Sequence, residues 1–220
     1  MRSERASTFV KICGIMRPED ADRAVECGAD ALGFVFWPDS PRWIDPNKAW
    51  KIVATLPPFV TAVGVFVNQP SEYVNEIAAQ IGLGAVQLHG DEHVEYAATV
   101  SRPVLKAMTL AQAADRALDS WPSRVLVLLD AHDPDKRGGT GMTIDWTSAA
   151  AVAASRRVVL AGGLTPANVG QAIARVRPFG IDVSSGVEQA PGVKDHEMLE
   201  ALFAAIDPIE SSQGTLWKTP

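Results

Sequence analysis

Short runs of aliphatic and β-branched residues recur along the chain, each followed by a longer stretch in which apolar positions return every three to four residues. The first run, Phe9-Val-Lys-Ile-Cys-Gly14, is stopped by glycine and reads as a buried strand. An amphipathic, alanine-containing helix follows over 18–27, with Pro18 suited to its first turn and Gly28 ending it. The unit then repeats. Strands are predicted over 31–36, 60–67, 84–88, 103–108, 124–129, 158–161 and 180–183. Helices are predicted over 46–55, 70–81, 92–100, 110–118, 146–154, 166–176 and 195–206. Composition does not change along the series and no linker interrupts it.

Strands alternating with helices imply parallel pairing with right-handed crossovers. Eight such units in roughly 200 residues fit one closed (β/α)₈ TIM barrel. An open doubly wound sheet competes, but its Gly-x-Gly-x-x-Gly turn is missing after the first strand. The expected layout is an N-terminal extension over 1–8, a barrel domain over 9–206 and a flexible tail over 207–220.

The totals narrow the partners. With 220 residues, 47% hydrophobic and 21% charged, the chain suits one large soluble core. No apolar run is long enough to span a bilayer, and the start has no signal-peptide layout. The two cysteines fall in element-like segments, so reduced thiols in a cytoplasm are expected rather than a disulfide framework. A net charge of −6 without a basic stripe excludes nucleic acid, so any anion must be held by local donors. Cys13, Cys27 and the histidines show no metal-ligand spacing. The helix faces are compatible with a monomer or a homodimer.

In such a barrel, chemistry is built at the C-terminal ends of the strands. Lys11 and Cys13 share one face of the first strand because side chains alternate. Cys13 at the mouth reads either as a packed thiol or as a general base tuned by a nearby cation or a dry pocket. Asp130 closes the apolar run Val125–Leu129, where burial would raise a carboxyl pKa and suit a general acid; a loop-capping role is the plainer reading. Arg42 follows Pro41 in a stiffened loop and reads as a bidentate carboxylate clamp or a solvated arginine, with Trp37 or Trp43 placed to flank a ring. His89 shares a face with Gln87, either lining a pocket or forming a satisfied buried pair. Gly162 and Gly163, ahead of Thr165-Pro166, and Ser184-Ser185-Gly186 form two glycine-bearing loops after strands seven and eight. Those loops are the usual phosphate site of the fold. Lys11 and Asp182 lie on neighbouring strands of a closed barrel and are expected to pair inside it. His93 and His132 read as surface residues. The loop 133–141, with Lys136, Arg137 and several glycines, is expected to close over a ligand.

Taken together, Val10-Lys-Ile-Cys-Gly14, Gly33-Phe-Val-Phe with Ser40-Pro-Arg42, Val86-Gln-Leu-His-Gly90, Asp130 with Gly138-Gly-Thr-Gly141 and Asp145-Trp146, Leu160-Ala-Gly-Gly-Leu164 and Asp182-Val-Ser-Ser-Gly-Val-Glu188 resemble the phosphoribosylanthranilate isomerase family. The resemblance runs in order from about 10 to 206. It implies an Amadori rearrangement of N-(5-phosphoribosyl)anthranilate, a phosphorylated sugar–anthranilate, within tryptophan biosynthesis and without a cofactor. By the family's pattern Asp130 is the acid, Cys13 the base, Arg42 the carboxylate ligand, and Gly162, Gly163, Ser185 and Gly186 the phosphate contacts. Lys11, His89, Asp182 and Ser184 complete the candidate set. Other phosphate-binding barrel enzymes, of the indole-glycerol-phosphate synthase or histidine-pathway isomerase type, are disfavoured by Cys13 at the first strand end. A non-catalytic phosphosugar-binding barrel would keep the glycine loops without needing Cys13 beside Asp130.

Overall fold

Side-chain alternation along eight parallel strands decides what this chain presents inward. The computed structural model describes residues 8–114, 117–131 and 144–213. The strands are β1 (Phe9–Cys13), β2 (Ala31–Val35), β3 (Thr61–Phe66), β4 (Ala85–Leu88), β5 (Val104–Met108), β6 (Leu126–Leu129), β7 (Val158–Leu160) and β8 (Gly180–Val183). Each pairs with the next and β8 pairs back to β1, closing the (β/α)₈ barrel expected from the repeat.

One side-chain set, including Val10, Ile12, Leu32, Phe34, Leu88, Leu129 and Ile181, packs outward under the helices as the main core. The other set fills the barrel in layers: Ala31, Val63, Ala85 and Leu105 low down, then Ala107, Leu128 and Val159, then Cys13, Val35 and Val65 towards the mouth. Interior filling by small and branched residues makes the barrel a packed core rather than a pore.

The helices are α1 (Pro18–Cys27), α2 (Pro46–Val53), α3 (Ser71–Ile81), α4 (Val94–Ala97), α5 (Leu110–Ala114), α6 (Ala117–Ser120), α7 (Trp146–Ser155), α8 (Val169–Val176) and α9 (His196–Gln213). Local chemistry sets several ends. Gly28 takes φ 111° at the close of α1, and the Asp45 carboxylate accepts the Asn47 and Lys48 N–H groups at the start of α2.

Several of the sequence-drawn helix boundaries shift in the structure. The helix expected over 92–100 is reduced to the single turn α4. The Glu92 carboxylate is drawn inward by the Asn68 and Gly90 N–H groups at 2.8 and 3.0 Å and by Lys106 Nζ at 2.8 Å. The 110–118 helix appears as α5 and α6, with 115–116 outside the described residues. The 166–176 helix starts only at Val169, because the Asn168 side chain bridges Thr165 N–H and the Gly163 carbonyl and keeps 165–168 as a loop. The last helix continues to Gln213, past the boundary drawn at 206; 1–7 and 214–220 lie outside the described residues. An unanticipated antiparallel pair, β9 (Glu188–Ala190) and β10 (Val193–Lys194), follows β8. Among the described residues no helix is long and apolar enough to cross a membrane.

Lys11 and Asp182 are register partners across the β1–β8 seam, and Lys11 Nζ lies 2.8 Å from Asp182 Oδ1 with side chains 1% and 9% exposed. Burial pulls the Lys11 pKa down, but Asp182 and Cys13 outweigh it and hold the ammonium above its ordinary value. A group shifted this way contributes its full stability below the unfolded lysine pKa of about 10.4 and loses it only as pH rises through the folded value, so the Lys11 ammonium persists at neutral pH. Lys11→Met leaves Asp182 as an uncompensated buried charge and should cost about 3–5 kcal/mol. Urea unfolding with an unchanged midpoint would refute that expectation.

Candidate active site

Strand parity carries the candidate residues into one cavity. Cys13 is two residues beyond inward Lys11, His89 two beyond inward Gln87, and Asp130 two beyond inward Leu128. The cavity at the C-terminal mouth has a volume of about 610 Å³, within the range that encloses a small ligand. Cys13 and Asp182 line it from the β1–β8 seam, Arg42 from the loop after β2, and His89 and Asp130 from β4 and β6. Gly162, Gly163, Ser184, Ser185 and Gly186 complete its rim. Lys11 is the exception: it does not line the cavity but lies beneath it, fully engaged with its neighbours. Trp37 lines the cavity, whereas Trp43 does not and is 40% exposed. His93 is exposed, as expected. His132 and the 133–141 loop, with its proposed closure, lie outside the described residues.

Room for the thiol depends on a neighbouring glycine. Gly33 is the register partner of Cys13 on β2, and a Cβ there would stand 2.7 Å from Cys13 Sγ and 3.1 Å from Lys11 Cε. The Cys13 carbonyl accepts from Ser184 Oγ at 3.1 Å and Lys194 Nζ at 2.5 Å, which anchors the end of β1. Burial pushes the Cys13 thiol up, while Lys11 and Lys194 pull the other way and Asp182 adds to the rise; the thiol ends above its ordinary value. Its resting form at neutral pH is therefore S–H.

Asp130 stands at the end of β6, three strands round the barrel from Cys13. It is 8% exposed, and one carboxylate oxygen lies 3.3 Å from His89 Nε2. Gln87 Nε2 lies 2.9 Å from His89 Nδ1. An amide N–H donating to Nδ1 leaves the imidazole's own N–H on Nε2, which is buried near Asp130 without a hydrogen-bond partner among the described residues. Gln87 and His89 do pair and both line the cavity, but the pair is not the satisfied one anticipated, since Gln87 Oε1 and His89 Nε2 are buried without a hydrogen-bond partner among the described residues.

The rim is set by backbone shape. Gly162 and Gly163 have φ of 81° and 63°, a region that disfavours any residue with a Cβ. A Cβ at Gly186 would fall 1.8 Å from the Leu164 carbonyl oxygen, so the loops after β7 and β8 interlock. This brings bare backbone to the edge of the cavity. The backbone exposed at the cavity edge comes from these loops rather than from the start of α8, which begins later than the sequence suggested.

Arg42 is not a free clamp. Its stem crosses Gly14, where a Cβ would meet Arg42 Cδ at 2.6 Å. Arg42 Nε is 3.0 and 3.1 Å from the two Glu188 oxygens, and Nη2 is 2.7 Å from Glu188 Oε2. Lys194 Nζ reaches Glu188 Oε1 at 2.7 Å. Sequence reasoning missed Glu188 and Lys194 as site residues. The only signal for either was the position of Glu188 at the end of the strand-eight motif. Among the described residues no cluster of His, Cys, Asp and Glu could hold a metal ion. The arrangement offers a thiol and a carboxyl group, each able to move a proton at a different atom of one ligand, between a cationic wall and a glycine cradle.

The profile of a family described as N-(5'-phosphoribosyl)anthranilate (PRA) isomerase matches residues 10–205. The N-(5'-phosphoribosyl)anthranilate isomerase of Citrifermentans bemidjiense is 50% identical over 203 residues, covering 90% of this chain and 96% of the relative. The crystal structure of phosphoribosyl anthranilate isomerase from Thermus thermophilus superposes with a TM-score of 0.84 at 43% identity, covering 92% of this chain and 100% of that one. A phosphoribosyl anthranilate isomerase crystallised with reduced 1-(o-carboxyphenylamino)-1-deoxyribulose 5-phosphate gives a TM-score of 0.82 at 42% identity, with the same shares covered.

Proposed function

The chain belongs to the N-(5'-phosphoribosyl)anthranilate isomerase family, and on that premise we propose how its residues divide the work of the reaction. The enzyme converts N-(5-phosphoribosyl)anthranilate to 1-(2-carboxyphenylamino)-1-deoxyribulose 5-phosphate, an Amadori rearrangement in tryptophan biosynthesis.

Asp130, beside His89, gives a proton to the furanose ring oxygen. The C1–O bond breaks as the anilino nitrogen's lone pair forms the C=N bond of an open-chain imine. Cys13 then takes the proton from C2, and the C2–H electron pair moves into a C1=C2 bond while the iminium nitrogen recovers its lone pair. The resulting enolamine gains a proton at C1 and loses one from the C2 hydroxyl, giving the ketone. The imine supplies the electron sink, so no cofactor is required. Gly162, Gly163, Ser185 and Gly186 hold the phosphate through backbone N–H and hydroxyl groups, and Arg42 holds the anthranilate carboxylate. Ser184 and Asp182 line the cavity at the β1–β8 seam, the first bonded to the Cys13 carbonyl and the second to Lys11. We place the reaction in the cytoplasm, in keeping with two free thiols.

The observation that carries this assignment is the meeting of Cys13, the Asp130–His89 pair, Arg42 and the glycine cradle in one cavity. The decisive assay mixes the purified protein with freshly prepared phosphoribosylanthranilate and follows loss of anthranilate-type fluorescence. Rapid loss is expected; fluorescence that decays no faster than in buffer would overturn the reading.

The raised Cys13 pKa also sets the pH dependence. Below that pKa each unit of pH raises the thiolate fraction about tenfold. For the free enzyme, kcat/KM should therefore climb with pH through neutrality and into the weakly alkaline range. A flat profile across that range would remove Cys13 from the role of base.

A further inference from the structure

We propose that Lys194, lying outside the cavity behind Glu188, is a positioning residue that gives the Arg42 site the single surplus positive charge by which it recognises the carboxylate on the substrate's aromatic half. The inference rests on the reading of Arg42 as the carboxylate clamp, and it explains how that clamp works although Arg42 is already paired.

A guanidinium has two edges that each accept a carboxylate in a forked geometry. Glu188 occupies the Nε/Nη2 edge of Arg42. The Nη1/Nη2 end remains for a second carboxylate, on a side chain that lines the cavity. Geometry alone does not make that end attractive, because an Arg–Glu pair is neutral overall and a further anion would gain little from it.

Lys194 changes the balance. Its side chain is 0% exposed, and Nζ faces three acceptors: the Glu188 carboxylate at 2.7 Å, the Cys13 carbonyl at 2.5 Å and the Ser184 carbonyl at 3.2 Å. Burial holds the Lys194 pKa below its ordinary value against the opposing pull of Glu188, but three acceptors require three N–H groups, which only the ammonium form has. Arg42 and Lys194 thus carry two positive charges against one negative charge on Glu188, a net of +1 in a buried cluster. The neighbouring ionic groups do not cancel it. Lys11 is matched by Asp182 at 2.8 Å, and Asp20 is matched by Arg17 and also bonded to His196. A bound carboxylate brings the cluster to neutrality.

The hairpin after β8 is what puts the lysine there. The chain turns at Gly192, with φ 78°, and β10 pairs Lys194 with Glu188 on β9. The same ammonium holds the end of β1 through the Cys13 carbonyl, so the carboxylate clamp and the strand bearing Cys13 share one anchor.

The test uses two inhibitors: the reduced product analogue bearing the ortho-carboxylate, and its aniline counterpart without the carboxylate. Inhibition constants are measured for the full-length protein and for Lys194→Met, Lys194→Met/Glu188→Gln and Arg42→Ala. Lys194→Met makes the cluster neutral and should weaken the carboxylate-bearing analogue by at least about tenfold, with little change for the aniline analogue. The double variant restores the net +1 and should recover most of that loss. A purely structural lysine predicts instead that both analogues weaken together and that the double variant is worse than the single. Either result overturns the proposal. If Lys194→Met alone does not fold, the double variant decides: near-native discrimination between the analogues supports the charge balance, and lost discrimination refutes it. Arg42→Ala isolates the underlying reading. If it leaves the two analogues equally distinguished, the clamp assignment itself fails. If it abolishes discrimination while Lys194→Met does not, the clamp stands and only the role of Lys194 falls.

Discussion

Replacing Cys13 with alanine is expected to lower kcat by roughly 10²–10⁴-fold, the range typical of a lost general base. The KM for substrate should change far less, because the phosphate and carboxylate contacts lie elsewhere in the cavity. The thiol occupies a slot that Gly33 leaves open. Alanine therefore removes one buried sulfur with no group forced to move, and the fold should persist. Cys13→Ser makes the test sharper. The hydroxyl is nearly isosteric but far less acidic than the thiol, so C2 deprotonation becomes the slow step. Substrate deuterated at C2 should then show a large primary isotope effect. Unchanged turnover in Cys13→Ala would reduce Cys13 to a packing residue and end the base assignment.

Asp130→Asn should cost a comparable factor, roughly 10²–10⁴-fold in kcat, for a different reason. The amide keeps the shape beside His89 but has no proton to give to the ring oxygen. Ring opening then becomes the slow step and comes before any C2–H cleavage. The C2 isotope effect should fall towards unity in this variant, the opposite of the Cys13→Ser result. Two slow variants with opposite isotope signatures would assign acid and base separately. Similar signatures in both would show that one residue acts only through structure. The isotope effect also separates a proton donor from a residue that merely holds His89, since losing an orienting contact would slow both steps.

The buried charges here do different jobs, and burial alone does not tell them apart. Lys11–Asp182 closes the seam where the last strand meets the first, below the cavity. Lys106–Glu92 shapes a loop at the end of β4 and accounts for the loss of most of a helix. Lys194–Glu188 backs Arg42, which lines the cavity. Each lysine is held by a carboxylate, as a buried ammonium must be, but only Glu188 is shared between two cations, Lys194 and the cavity-lining Arg42.

Much of this protein was determined locally. Eight alternations between short, mostly apolar runs and a near-four-residue apolar period fit a closed parallel barrel, in which the strands are buried on both faces. The parity of each strand also carried Cys13, His89 and Asp130 inward, since a residue two beyond an inward position points inward again. The glycine loops after β7 and β8 could be read for the same reason: backbone approach to a ligand needs residues without a Cβ. Tertiary structure decided the rest. Glu92 and Asn168 look like ordinary helix-entry residues in sequence, yet long-range and loop hydrogen bonds pulled both out of helices. Glu188 and Lys194 lie in a short polar segment with too few apolar positions for a period to show. Their importance arises only when the β9–β10 turn folds Lys194 back beside Glu188 and the loop after β2 lays Arg42 across both. Local sequence sets which way each side chain points; the folded chain sets which charges meet, across a hairpin for Lys194 and Glu188 and across 146 residues of sequence for Arg42 and Glu188.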